Sequence, residues 1–109
     1  MVNIDDLSKI EFRVGKILAI EDIPEAKSPV YKLEVSFGHE LGNRVIVAGI
    51  KNAYTKEELL NKKIICITNL EPKKIANVFS NGMLLAAGEG SSISLLTLDK
   101  DLPEGSTVR

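Results

Sequence analysis

The sequence predicts an all-β fold, a small five-stranded Greek-key barrel with one short helix between the third and fourth strands. Three observations carry this. Apolar and polar residues alternate with period two along much of the chain. Only one clear helix signature interrupts the strand-like stretches. The first apolar stretch, Phe12 to Ile23, is too long for one ordinary strand and changes phase near a glycine.

In that first strand Phe12 and Val14 share one phase and Ile17 and Ala19 take the other, with Gly15 where the phase changes, as a bulge or bend requires. A bent strand serves two sheets, which is how a small barrel closes. Tyr31, Leu33, Val35 and Phe37 alternate with Lys32, Glu34 and Ser36, a half-buried second strand. The glycine-flanked run Gly38-His39-Glu40-Leu41-Gly42 reads as a hairpin turn. Arg44 to Ile50 and Lys63 to Leu70 are rich in β-branched residues and give the third and fourth strands. Between them, Thr55-Lys56-Glu57-Glu58 is a capping box, with Leu59 and Leu60 facing inward and Asn61 able to end the turn in left-handed backbone. Gly82 to Gly88 is the fifth strand, and Ile93 to Leu98 is a further apolar stretch. A short turn covers Ile4 to Ser8. The order strand, strand, strand, helix, strand, strand is that of an OB-fold. A sandwich needs roughly seven strands, and an α/β fold needs repeated crossover helices.

With 109 residues, 44% hydrophobic and 27% charged, the chain is one globular domain, residues 1–109. The barrel takes about residues 10–88, leaving terminal extensions 1–9 and 89–109. One cysteine, Cys66, and one histidine, His39, supply neither a disulfide nor a four-ligand zinc site. Cys66 lies in the run Ile64 to Ile67 and reads as a buried small hydrophobe. Gly88-Glu89-Gly90 lacks the length and the following Lys-Ser/Thr of a phosphate-binding loop, no serine stands in a nucleophile elbow, and no two acids pair as a dyad. The expectation is a protein that is not an enzyme and holds no cofactor or metal. No apolar run approaches the roughly 18 residues of a membrane span, and the N-terminus carries acids where a signal peptide has lysines, so a cytoplasmic location is expected.

Net charge is −1, but residues 41–81 hold seven Lys/Arg against three Asp/Glu, a basic middle between acidic ends. OB-folds bind across strands two and three, flanked by the loop after strand one and the loop between strands four and five. Here those loops run Pro24 to Pro29 and Glu71 to Asn81. They bring Lys27, Lys73 and Lys74 around one face. Phe79 offers a stacking surface, and Asn69, Ser80 and Asn81 offer hydrogen bonds to a base edge or 2′-hydroxyl. The alternatives are a solvated turn at Lys73-Lys74, a barrel plug at Phe79 and a turn-shaping role for Asn69. Ile93, Leu95, Leu96 and Leu98 are too apolar to hang in water, so the tail packs on its own barrel or on a second copy.

Phe12-Arg13-Val14-Gly15-Lys16-Ile17, Pro24-Glu25-Ala26, Tyr31 to Val35, Arg44 to Ile50, Asn69-Leu70-Glu71-Pro72-Lys73-Lys74 and Ser80-Asn81-Gly82-Met83 together resemble the tRNA-binding OB domain. That domain is found at the C-terminus of many methionyl-tRNA synthetases and in stand-alone dimeric tRNA-binding proteins. A sibling family, the CsaA-type secretion chaperones, resembles Pro24 to Pro29, Phe37 to Gly42 and Leu102 to Thr107. The resemblance departs in the loop after Lys74, where Ala76 and Asn77 stand for a basic residue and a glycine, and Phe79 for a polar or acidic one. It implies a homodimer that binds tRNA by shape and backbone, assisting a methionyl-tRNA synthetase chain in trans. Lys27, Lys73 and Lys74 would hold phosphates, Asn69, Ser80 and Asn81 would hydrogen-bond, Met83 would line the floor and Phe79 would stack. The alternative it implies is a chaperone holding unfolded preproteins across the homodimer.

Overall fold

The computed structural model describes residues 1–109, and its architecture is mostly short strands with three one-turn helices. The strands are β1 (Phe12–Asp22), β2 (Tyr31–Ser36), β3 (Asn43–Ala48), β4 (Lys63–Ile67), β5 (Lys73–Ile75), β6 (Val78–Ser80), β7 (Met83–Leu84), β8 (Ala86–Glu89), β9 (Ser92–Leu95) and β10 (Thr107–Val108). The helices are α1 (Ile4–Leu7), α2 (Gly38–Leu41) and α3 (Lys56–Leu59). The main sheet is antiparallel in the order β3-β2-β1-β4-β7, with β10 also on β1. It curls as an OB-like barrel.

β1 does not join two sheets; it is the long central strand of one curled sheet and divides its length between two neighbours. Phe12 to Lys16 pair with Ile67 to Lys63 of β4, and Lys16 to Asp22 pair with Ser36 to Tyr31 of β2. The register shift lies between Ile17 and Ala19, not at Gly15. Gly15 is required for a different reason: a Cβ there would stand 2.5 Å from Val35 Cγ1 and 2.7 Å from Phe37 Cε1. The apparent phase change arises because both faces are buried there, Val14 on one and Gly15 and Ile17 on the other, and the bulge at Leu18 follows it. The inward positions of the strands meet Leu59 of α3 in one cluster that includes Ile17, Leu33, Val35, Phe37, Ile46 and Ile64. Each such side chain stabilises the fold by about 1.5–3 kcal/mol through burial.

α3 carries the expected capping box, Thr55 Oγ1 accepting from Glu58 N–H and Glu58 Oε1 from Thr55 N–H. Asn61 has φ 66° beyond it. α1 is capped by the Asn3 side chain. The hairpin expected at Gly38 to Gly42 joins β2 to β3, and its turn is helical, α2, closed by Gly42 N–H to Gly38 O. Two expectations are corrected. The fifth strand is broken: β7 pairs with β4, whereas β8 turns away to pair with β9 as a separate hairpin. The stretch Glu71 to Asn81 is not a plain loop, since β5 and β6 pair within it.

The barrel closes through side chain and backbone rather than a full ladder. Asn81 N–H donates to Val45 O at 2.8 Å, and Val47 N–H donates to Ser80 Oγ at 2.9 Å. Gly82, at φ 133°, lets this crossing approach Ile67 O, 3.0 Å from where a Cβ would sit. The tail packs on its own barrel: Leu95 is buried, β10 lies on β1, and Arg13 Nη1 donates to Gly105 O at 3.0 Å.

Candidate nucleic-acid interface

The β5–β6 hairpin is a two-residue turn. Lys73 faces Ser80, Lys74 faces Phe79 and Ile75 faces Val78 across it. Ala76 and Asn77 form the tip with φ 48° and 67°, the positive pair of a type I′ turn. Alternation then fixes the faces. Ser80 points into the barrel and is 6% exposed, with Ile75 and Val78 half-buried. Lys74 and Phe79 lie on the outer face, the ring 61% exposed and the Lys74 Nζ 6.0 Å from its centroid. Phe79 is therefore not a barrel plug. Ser80 and Asn81 tie the base of the hairpin to β3, along which it runs toward the end where Tyr31 pairs with Ala48. The Pro24 to Pro29 loop, with exposed Lys27, leads into Tyr31 at that same end.

Charge in the basic middle is mostly consumed within the fold. Lys51 and Lys56 pair with Asp22, and Lys63 with Asp101 and Glu104. Arg44 donates to Thr68 O at 2.5 Å and lies 5.9 Å over the Phe37 ring. No ion pair engages Lys27, Lys73 or Lys74. The two hairpin lysines are thus adjacent, exposed and uncompensated, which is what a polyanion meets favourably.

The hydrogen-bonding residues divide. Ser80 Oγ accepts from Val47 and donates to Gly82 O at 3.2 Å, so its hydroxyl is engaged in the fold. Asn69 accepts from Glu11 N–H at 2.8 Å and donates to Lys9 O at 2.7 Å, holding the N-terminal segment to the end of β4. Asn81 is half-buried beside the hairpin base, and Met83 is 48% exposed on β7. The shallow hollow on the outer sheet is lined by Ala19, Glu21, Lys32, Glu34 and Val45 and holds about 150 Å³. Two carboxylates there repel phosphate, and the volume is below the roughly 300 Å³ of small-ligand sites. The hairpin, not the sheet floor, is the anion-compatible part.

Five titratable groups are displaced; Asp22, Lys56 and Glu58 owe this to the ion pair and the capping box, and the other two are Glu11 and Cys66. The Thr68 hydroxyl donates to Glu11, and with the Arg13 charge nearby this holds the Glu11 carboxyl below its usual range. Burial pushes the Cys66 thiol up to about 12, so it carries no thiolate at neutral pH.

A second surface lies on the opposite strands. Ile4, Leu7 and Ile10 from the N-terminal segment face Phe12, Leu96 and Val108 across an apolar cleft of about 640 Å³. Ile4 is 76% exposed and Leu7 47%. The sequence reading anticipated the apolar tail. It missed the β5–β6 hairpin, whose signal was Ile75 and Val78 flanking a two-residue Ala-Asn turn.

The chain is similar to several known proteins. The family described as "Putative tRNA binding domain" matches residues 12–107. The methionine–tRNA ligases of Methanococcus maripaludis strain C5 and Methanocaldococcus jannaschii are both 48% identical to the chain. The matches cover 99% of it and 16% of each ligase, so it spans about a sixth of these curated relatives. Among solved structures, the CsaA chaperone protein of Picrophilus torridus is similar at TM-score 0.94 and 42% identity over 100% of both chains. A MetRS-related protein of Pyrococcus horikoshii is similar at TM-score 0.89 and 35% identity, covering 100% of this chain and 98% of that one.

Proposed function

The chain belongs to the tRNA-binding domain family, and from that premise we propose that it binds tRNA without catalysis, as a cytoplasmic homodimer that assists a methionyl-tRNA synthetase chain. The observation that carries the reading is the hairpin. Lys73 and Lys74 are exposed and without carboxylate partners on an element anchored to β3, in a chain of net charge −1. Lys27, on the loop before Tyr31, extends the basic surface. Lys27, Lys73 and Lys74 hold phosphates, and Asn81 reaches a sugar or base edge. Met83 lines the floor, and Asn69 and Ser80 act by positioning the strands around the site. Contacts of this kind read backbone and shape rather than sequence. The buried, protonated Cys66 offers no nucleophile. The homodimer reading rests on the cleft between the terminal segments, whose exposed Ile4 and Leu7 are satisfied by the same surface of a second copy.

The fit to the CsaA chaperone over the full length of both chains favours one other reading, capture of unfolded preprotein. Titration with bulk tRNA at several salt concentrations, with an unfolded polypeptide as competitor, separates the two. Micromolar or tighter binding whose logarithm falls linearly with log salt, indifferent to the polypeptide, is expected. Absence of tRNA binding at low salt with polypeptide bound at high salt would replace the tRNA reading by the chaperone one.

A further inference from the structure

Phe79 stands out among the exposed residues. It is 61% exposed, on the outer face of a strand whose other outer neighbours are polar, and it belongs to no apolar cluster of the fold. A flat partner laid on the ring would remove apolar area from water, which is favourable. Its ladder partner is Lys74, whose ammonium lies 6.0 Å from the ring centroid, at the outer limit of a cation–π contact and therefore easily displaced. The strand that carries the ring is held at both ends. A type I′ tip holds one end of the hairpin, and the Ser80–Val47 and Asn81–Val45 hydrogen bonds hold the other.

We propose that Phe79 and Lys74 form a platform for one unstacked nucleobase of the bound RNA, the ring covering the face of the base and the ammonium meeting a neighbouring phosphate. This rests on the tRNA-binding reading and narrows it. Bases inside a continuous duplex are covered on both faces by their neighbours and offer no free face to Phe79. The ligand class is accordingly RNA with an exposed loop or unpaired base, and a regular duplex is excluded. Stacking needs only a π face, so the platform tolerates any base. An apolar side chain of a polypeptide is the competing occupant. Adjacent Lys73 and Lys74, with no carboxylate partner, favour the nucleotide, which brings its own phosphate.

The test uses Phe79→Ala and Phe79→Trp in the full chain. The sequence contains no tryptophan, so Phe79→Trp places the single tryptophan at the platform, excited selectively over the two tyrosines. Phe79→Ala is expected to weaken tRNA binding by about 5- to 150-fold, with an unchanged salt slope because no phosphate contact is lost. Phe79→Trp keeps an aromatic face for stacking, and its emission is expected to be quenched by saturating tRNA and not by an RNA duplex of similar length. Circular dichroism of both variants confirms folding. Unchanged tRNA affinity in Phe79→Ala, an unquenched tryptophan in the tRNA complex, or equal quenching by the duplex would overturn the platform. So would Phe79→Ala losing only unfolded-polypeptide binding. These outcomes leave tRNA binding by the unaltered protein intact, whereas the failure of that binding itself removes the tRNA reading.

Discussion

The Ser80 hydroxyl accepts from Val47 N–H and donates to Gly82 O, with the residue 6% exposed. A serine flanked by Phe79 and Asn81 looks, in sequence, like a group offered to a ligand. Its direction is set by strand alternation, which turns it inward while the Phe79 ring turns out. Removing the hydroxyl leaves a buried backbone donor without a partner. Ser80→Ala is therefore expected to lower stability by about 1–3 kcal/mol, read as a drop in the urea midpoint with unchanged slope. An unchanged midpoint would mean the hydroxyl does not close the barrel. Asn69 follows the same logic, because its amide bridges Lys9 and Glu11, residues roughly sixty positions away in the chain.

At the scale of the element, the β5–β6 hairpin links sequence to site. Ala76 takes φ 48°, a conformation that costs a residue with a Cβ roughly 1–2 kcal/mol. Asn77 tolerates the same region better. Ala76→Gly is expected to stabilise the hairpin by about 0.5–1 kcal/mol after glycine's own entropic cost. Slower amide exchange at Val78 and Phe79 is the readout; faster exchange would contradict the strain at the tip. The same element carries the two uncompensated lysines. Replacing both, Lys73→Ala with Lys74→Ala, is expected to weaken tRNA binding and to reduce the salt slope by about 1–2. If affinity and slope stay as they were, the hairpin lies outside the interface.

Across the whole molecule the two ends of the chain form one apolar cleft, Ile4, Leu7 and Ile10 on one side and Leu96 and Val108 on the other. The cleft is lined by β1 and β4 residues Phe12 and Ile65, whereas the lysine-bearing hairpin is joined to β3. The proposed dimer contact and the proposed RNA contact thus fall on separate parts of the barrel. Leu7→Glu places a charge in the cleft without touching the core, since Leu7 is 47% exposed. Sedimentation is expected to show a dimer for the unaltered chain and a monomer for the variant, both folded by circular dichroism. A Leu7→Glu protein that remains dimeric would place the interface elsewhere.

Local patterning suffices for the main strands and the capped helix. The alternation from Tyr31 to Phe37, the β-branched runs around Val45 and Ile65, and the capping box at Thr55 are local signals with local causes, and each produced the element it predicts. Chain order also determined which residue types gather between β4 and β7, because the lysines and Phe79 are close neighbours in the chain. Their surroundings, by contrast, come from contacts distant in the chain. Whether a lysine is free depends on whether a carboxylate from a distant strand reaches it: Lys56 finds Asp22, Lys63 finds Asp101, and Lys74 finds none. Whether a side chain faces water depends on the register of the hairpin, which rests on two left-handed residues and two hydrogen bonds to β3. Pairing and register are long-range properties, fixed when the barrel closes, and no window of neighbouring residues contains them.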